Sequence, residues 1–158
     1  IICIYLPNGN PAPGPKYNYK INWMKRLIKY TQEIYNTNEP FILAGDFNVI
    51  QNSDDCYDIS KWLGDALYLE NTRRLMKEII NIGLLDSFRI KYPYSKEYSF
   101  WDYQAGAWQK DNGIRIDFLL ISPEIVDLLK DVGIDKSIRG NEKPSDHTPV
   151  YIEIDMIN

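Results

Sequence analysis

Asp46 and Asn48 stand two residues apart where the apolar run Phe41-Ile42-Leu43-Ala44-Gly45 ends. At strand spacing, residues two apart leave the same face, so a carboxylate and an amide point at one ligand. Such a pair suits the orientation of a nucleophilic water and a phosphate oxygen; it also suits a strand-ending Asx turn, and the spacing alone does not separate the two. His147, the only histidine, follows Asp146 and precedes Thr148-Pro149 at the mouth of another strand. There a carboxylate is a hard oxygen ligand for Mg²⁺, and an imidazole is a donor to charge developing on a phosphorane. An imidazole used in that way needs a partner to set its tautomer. Asp117, on the polar face of an alternating strand, is the candidate; its alternative is an ion pair with Arg115 or a surface lysine.

Tyr5 lies in the apolar strand Ile1 to Leu6, on the face of Ile1 and Cys3, with Asn8 in the turn behind it. By spacing it is a core tyrosine with its hydroxyl at the rim. Between residues 92 and 112 aromatics are dense, with Phe100, Trp101 and Trp108 among Gly, Asp, Lys and Gln. Flat rings in a polar loop either pack that loop on a core or hold an unstacked nucleotide.

These groups need elements to position them. The run Ile1 to Leu6, closed by Pro7-Asn8-Gly9-Asn10-Pro11, predicts a buried strand and a turn. Apolar residues from Tyr17 to Tyr35 recur at helical spacing, with Lys20, Lys25, Arg26 and Lys29 as a basic outer face. Residues 50 to 66, carrying Asp54, Asp55, Asp58 and Asp65, are expected as a long acidic surface loop. A helix from about Glu70 to Ile82 is capped by Gly83, and a short extended piece follows at Leu84 to Arg89. Ile114, Ile116, Phe118 and Leu120 alternate with Arg115 and Asp117, the clearest strand in the chain. A helix from about Pro123 to Val132, ended by Gly133, and a last strand through Val150, Ile152, Ile154 and Met156 complete the pattern. Interleaved strands and helices of this kind belong to the α/β or α+β class with a mixed sheet.

Composition narrows the rest. The 158 residues are 44% hydrophobic and 25% charged, the balance of one globular domain and not of a disordered or fibrous chain. No apolar run approaches the roughly 20 residues of a membrane span, and Ile1 to Tyr5 has the form of no leader sequence. Cys3 and Cys56 have no metal-binding spacing and form no dense disulfide framework, which fits a cytoplasmic setting. The net charge of −4 confines any contact with DNA to local patches.

Together the segments Tyr5-Leu6-Pro7-Asn8-Gly9, Gly45-Asp46-Phe47-Asn48-Val49, Tyr98-Ser99-Phe100-Trp101-Asp102-Tyr103, Gly113-Ile114-Arg115-Ile116-Asp117 and Lys143-Pro144-Ser145-Asp146-His147 resemble, in order and spacing, the exonuclease III and AP endonuclease family. The family belongs to the endonuclease/exonuclease/phosphatase superfamily, and the likeness is nearest to its bacterial, alphaproteobacterial branch. The resemblance implies a four-layer α/β sandwich (DNase I-like), of which residues 1–158 would be the C-terminal part, with the N-terminal part missing. It implies a DNA-repair hydrolase dependent on Mg²⁺ (or Mn²⁺), a monomer when complete, acting on double-stranded DNA at abasic sites or 3′ ends as AP endonuclease, 3′-to-5′ exonuclease and 3′-phosphatase. Asp46 would activate the attacking water, Asn48 would help hold it and the phosphate, and Tyr5 and Asn8 would contact the phosphate. His147 with Asp117 behind it would stabilise the transition state, and Asp146 would assist the metal. Phe100 and Ile114, with Trp101 and Ile116 near them, would line a small apolar pocket for a baseless sugar. Family members also carry, upstream of the first strand here, an Asn and a Glu that is the main metal ligand, so these residues alone are expected to lack the metal's principal anchor. The competing expectations are a catalytically impaired fragment and another phosphoesterase of the superfamily, acting on inositol phosphates or sphingomyelin.

Overall fold

The computed structural model describes residues 1–155; Met156, expected in the last strand, lies outside the described residues. Strand β1 (Ile2–Tyr5) leads through the 7–14 turn into helix α1 (Pro15–Tyr35), followed by β2 (Ile42–Asp46). Two single 3-10 turns, Ser53–Asp55 and Ile59–Trp62, precede α2 (Glu70–Asn81), β3 (Leu85–Asp86) and α3 (Ser87–Lys91). Then come β4 (Asp117–Ile121), α4 (Pro123–Val126), β5 (Leu129–Ile134), α5 (Lys136–Arg139) and β6 (Val150–Ile154). No helix among the described residues is long and apolar enough to cross a membrane.

Four strands form a mixed sheet in the order β1-β2-β4-β3, and β5 pairs with β6 in a second, antiparallel sheet. Alternation decides what each face of the larger sheet meets. Leu43, Phe118 and Leu120 turn to one side, where they pack with Ile21, Met24 and Leu27 of α1 and Leu75, Met76 and Ile79 of α2. Ile42, Ala44, Leu119 and Ile121 turn to the other side, against Leu129, Ile152 and Ile154 of the second sheet. Helices, sheet and sheet thus stack as layers, in keeping with the α/β sandwich expected from the sequence.

Four expectations change. The helix after Pro123 is a single turn, and Leu129–Ile134 is a strand with Leu129 opposite Ile154, Val132 opposite Ile152 and Ile134 opposite Val150. Six residues are too few for periodicity to separate helix from strand, and pairing with β6 decides. β1 is buried on one face only: Ile1 and Tyr5 are 94% and 69% exposed, because the second sheet covers β2 and β4 but not β1. Residues 114–116 reach their neighbours through isolated bridges, from Ile114 to Cys56 and to Phe100, ahead of the regular ladder that begins at Asp117.

The fourth concerns the acidic 50–66 segment, which is not all surface. Asp55 is fully buried, and its Oδ1 accepts from Arg115 Nε at 2.7 Å and from Arg89. Arg115, itself buried, extends its two terminal nitrogens to both oxygens of Asp86 at 3.1 and 2.8 Å. Asp86 in turn caps α3, accepting from the Phe88 and Arg89 amides. Arg115 is therefore paired away from Asp117, and the network ties the Ser53–Asp55 turn, α3 and the start of β4 together. Removing one member of such a pair strands a buried charge. Asp55→Ala is expected to lower the unfolding free energy in urea by about 3–5 kcal/mol. A loss below about 1 kcal/mol, the range of exposed pairs, would mean that the network carries little of the fold.

Candidate active site

The register of the larger sheet aligns three polar residues at one end. Tyr5 is opposite Asp46 in the parallel β1-β2 pair, and Asp46 is opposite Asp117 in the antiparallel β2-β4 pair. All three lie on the face turned toward the second sheet. Glycine is required beside this row: Gly45 has φ +135°, and a Cβ there would lie 2.0 Å from the Ile4 carbonyl oxygen.

His147 is carried over the row by the segment leading into β6. That segment runs antiparallel to residues 99–101, with Thr148 N donating to Ser99 O at 2.8 Å and Trp101 N to Asp146 O at 2.9 Å. The imidazole Nδ1 is 2.8 Å from Asp117 Oδ2, and Nε2 is 3.9 Å from Asp46 Oδ2. Since an ionised carboxylate only accepts, Nδ1 carries the proton toward Asp117 and Nε2 faces Asp46. Ser99 Oγ donates to the same Asp117 oxygen at 2.6 Å while accepting from the Ile116 and Asp117 amides. The ring of Phe100 meets the imidazole edge to face, with centroids 5.0 Å apart.

Asn48 adopts φ +49°, and in that turn its backbone N–H and Nδ2 donate to the two oxygens of Asp46, each at 2.8 Å. Nδ2 also donates to Leu6 O at 2.9 Å, and Oδ1 accepts from Asn8 Nδ2 at 3.2 Å. Both of its amide hydrogens are thus used on the protein. This is the Asx turn of the bland reading, but built so that it orients the Asp46 carboxylate.

A cavity of about 490 Å³ opens over these groups, within the usual range of ligand sites. Tyr5, Asn8, Asp46, Asn48, Phe100, Ile116, Asp146 and His147 line it, and Asn10, Trp62, Leu67 and Asp102 complete its wall. Asp117 stands behind His147. Ile114 lines a second hollow of about 330 Å³ that shares Phe100, Trp62 and Asp102 with the first. Trp101 is not at the cavity: it is fully buried between Tyr98 and Trp108, with Nε1 donating to Asp111. In extended backbone, neighbours face opposite ways, so a Phe100 that meets His147 sends Trp101 into the core.

Two residues escaped the sequence reading. Ser99 has no signal beyond its place before Phe100. Lys20, assigned to the outer face of α1, is fully buried, and its Nζ donates to Asn48 O at 2.6 Å and Asn8 O at 3.0 Å. It stands four residues before Met24 and seven before Leu27, the spacing of the helix's inward face, so its position held the signal that its type concealed.

Burial raises the Asp46 carboxyl to about 6, with the charge of Asp117 adding to it and the Asn48 amide, His147 and Lys20 opposing. For His147 burial disfavours the cation, but the hydrogen bond to Asp117 and the charges of Asp117, Asp46 and Asp146 prevail and raise its pKa. Burial lowers Lys20 to about 7 against the charges of Asp65 and Asp46. Among the described residues, no group of three or more His, Cys, Asp or Glu side chains forms a metal cage. Of the cavity's carboxylates, Asp46 is held by Asn48 and Asp102 accepts from the Gln104 amide, while the Asp146 carboxylate has, among the described residues, a single 3.3 Å contact with Ser145 Oγ. A hard cation takes one or two protein carboxylates together with phosphate oxygens, so Asp146 fits as a contributor.

Comparison with known proteins agrees with this architecture. Residues 2–147 match the Endonuclease/Exonuclease/phosphatase family, and the chain belongs to that family. It is 31% identical to exodeoxyribonuclease III of Haemophilus influenzae and 29% identical to the exodeoxyribonuclease of Bacillus subtilis, over 97% and 99% of its own length. It spans 60% of the length of each of these relatives. Among solved structures it superposes on a 3′ phosphatase from Neisseria bound to a product DNA hairpin, with a TM-score of 0.94 and 34% identity, covering 98% of this chain and 60% of that one. An AP endonuclease from Archaeoglobus fulgidus matches with a TM-score of 0.93 and 32% identity, over the same shares of the two chains.

The electrostatics can be read directly by following the Asp46 carboxyl carbon in an NMR titration. A midpoint near 6 is expected, moving down in Asp117→Asn as the neighbouring charge is removed. Because the folded pKa lies above the unfolded one, Asp46 favours folding below its ordinary value of 3.8 and loses that contribution as pH rises through about 6. A midpoint at or below 4 would show that the pair is not coupled as described.

Proposed function

We propose that the chain forms the C-terminal part of a DNA-repair phosphodiesterase domain of the exodeoxyribonuclease III type. Its substrate is double-stranded DNA, cut beside abasic sites and trimmed from 3′ ends, including 3′ phosphates. The observation that carries this reading is the placement of Asp46 and His147, the latter backed by Asp117, in one cavity that the apolar Phe100 and Ile116 also line. Polar groups with apolar ones immediately beside them suit a phosphodiester attached to a sugar that has lost its base. The likeness to nucleases that act on DNA supports the same choice. It disfavours the inositol phosphate and sphingomyelin alternatives. A cytoplasmic location suits such a function.

In this mechanism Asp46, ionised above about pH 6, accepts a proton from the attacking water. Asn48 contributes by fixing the carboxylate, with no hydrogen left for the phosphate. Asn8 and Tyr5 reach the phosphate from the cavity rim: one Nδ2 hydrogen of Asn8 and the Tyr5 hydroxyl have no partner among the described residues. His147, held by Asp117, whose hydrogen bond and charge favour the imidazolium, donates from Nε2 to the oxygen on which negative charge accumulates. Phe100 and Ile116 hold the sugar, and Ile114 supports Phe100 from the adjoining hollow. A divalent cation, Mg²⁺ or Mn²⁺, would supply further positive charge to the phosphate, with Asp146 among its ligands.

The test is cleavage of a duplex with a single abasic site by the longest chain the gene encodes. His147→Ala and Asp46→Asn are each expected to lower kcat on the order of 100-fold or more while changing DNA affinity little, since both remove interactions made in the transition state. Turnover near the unsubstituted level in either variant would refute the role given to that residue.

A further inference from the structure

We propose that Lys20 is a positioning residue of this site: its buried Nζ clamps the main chain at Asn8 and Asn48 and so sets where Asp46 and the Asn8 amide face the phosphate. The inference rests on the reading of the cavity as a phosphodiester site and adds to it a residue that touches no substrate.

Three segments distant in sequence meet at one nitrogen. Nζ reaches from the inward face of α1 to the Asn48 carbonyl at the end of β2, at 2.6 Å, and to the Asn8 carbonyl in the turn after β1, at 3.0 Å. Its stem passes directly beneath Gly9, where a Cβ would stand 2.6 Å from the Lys20 Cδ, so the turn closes over the lysine only because position 9 has no side chain. The far side of the same turn is held independently. Asn10 Nδ2 donates to both oxygens of Asp65, and Asn10 Oδ1 accepts from the Ala66 amide, each at 3.1 Å.

Each carbonyl held by Lys20 belongs to a residue whose side chain faces the site. Asn48 is in a left-handed conformation, and its amide grips the Asp46 carboxylate while accepting from the Asn8 amide. A shift of the Asn48 backbone therefore moves the base and the adjacent phosphate contact together. Lys20 is absent from the cavity wall, and two carbonyls occupy its nitrogen, so a direct role on substrate is excluded by access. The Lys20 nitrogen carries enough N–H donors for two converging carbonyls, to which no other side chain among the described residues donates. Geometry at a reacting centre is costly to lose, because small misplacements of catalytic groups reduce rates by large factors.

Lys20→Met and Lys20→Arg are the variants to compare, with Lys20→Gln, which keeps one donor site, in reserve should the methionine chain not fold. Folding is checked by circular dichroism and urea titration. On the 158-residue chain, the side-chain amide resonances of Asn8 and Asn48 report their placement; they are expected to shift in Met or Gln and to stay near their original positions in Arg. In the longest chain the gene encodes, kcat on the abasic duplex should fall on the order of 10- to 100-fold in Met or Gln with KM little changed, and Arg should recover most of the loss. Folded variants whose Asn amides do not move, or whose kcat is unchanged, overturn the proposal, as does a loss that merely follows the unfolded fraction. If the unsubstituted protein cuts no duplex, the functional reading fails by itself, and the amide resonances still decide whether Lys20 positions the two asparagines.

Discussion

Two carboxylates face one another across a sheet ladder. The antiparallel register of β2 and β4 puts Asp46 directly opposite Asp117, an arrangement that like charges disfavour. His147 relieves it by standing over both, bonded to one through Nδ1 and turned to the other through Nε2. The two acids differ in their partners. Asp117 accepts from Ser99 and holds the imidazole through Nδ1. Asp46, desolvated by burial and repelled by its neighbour, is raised to about 6, which suits the role of base proposed for it.

Much of the remaining structure keeps that register. Packing on both faces of the sheet leaves no freedom for a one-residue slip, which would turn Phe118 and Leu120 away from α1 and α2 and carry Asp117 to the wrong side. The Asp55–Arg115–Asp86 network anchors the strand just before Asp117, and Phe47 N bonds Ile116 O at 2.9 Å across the same point. A buried ionic network contributes less to net stability than its hydrogen bonds suggest, but breaking it is costly, and here it lies between the two isoleucines that line the hollow and the cavity.

The site depends on layers as well as strands. Asp46 and Asp117 come from the larger sheet, whereas His147 arrives on the approach to β6 in the smaller one, so this arrangement of the three exists only while the two sheets pack. α1 brings Lys20 from the opposite face. The rest of the cavity comes from irregular segments outside the regular ladders, the turn after β1, held by Lys20 and Asp65, and the segment of Phe100 and Asp102, held by isolated bridges to Ile114 and His147.

Sequence alone determined the order of the site segments, the association of Asn48 with Asp46 at the end of one strand, the apolar faces of α1, α2 and β4, and the candidacy of Asp117 as the partner of His147. These follow from periodicity and turn chemistry, which are local. Tertiary structure decided the rest: that Lys20 points inward, that Asp55 and Arg115 pair in the interior, that Trp101 leaves the cavity to Phe100, that Leu129–Ile134 is a strand, and that β1 keeps one open face. Every one of these depends on a partner distant in the chain. A lysine or aspartate is read as surface because an unpaired charge cannot be buried; it becomes interior only when another segment supplies the carbonyls or the guanidinium that satisfy it, and local spacing carries no record of that supply.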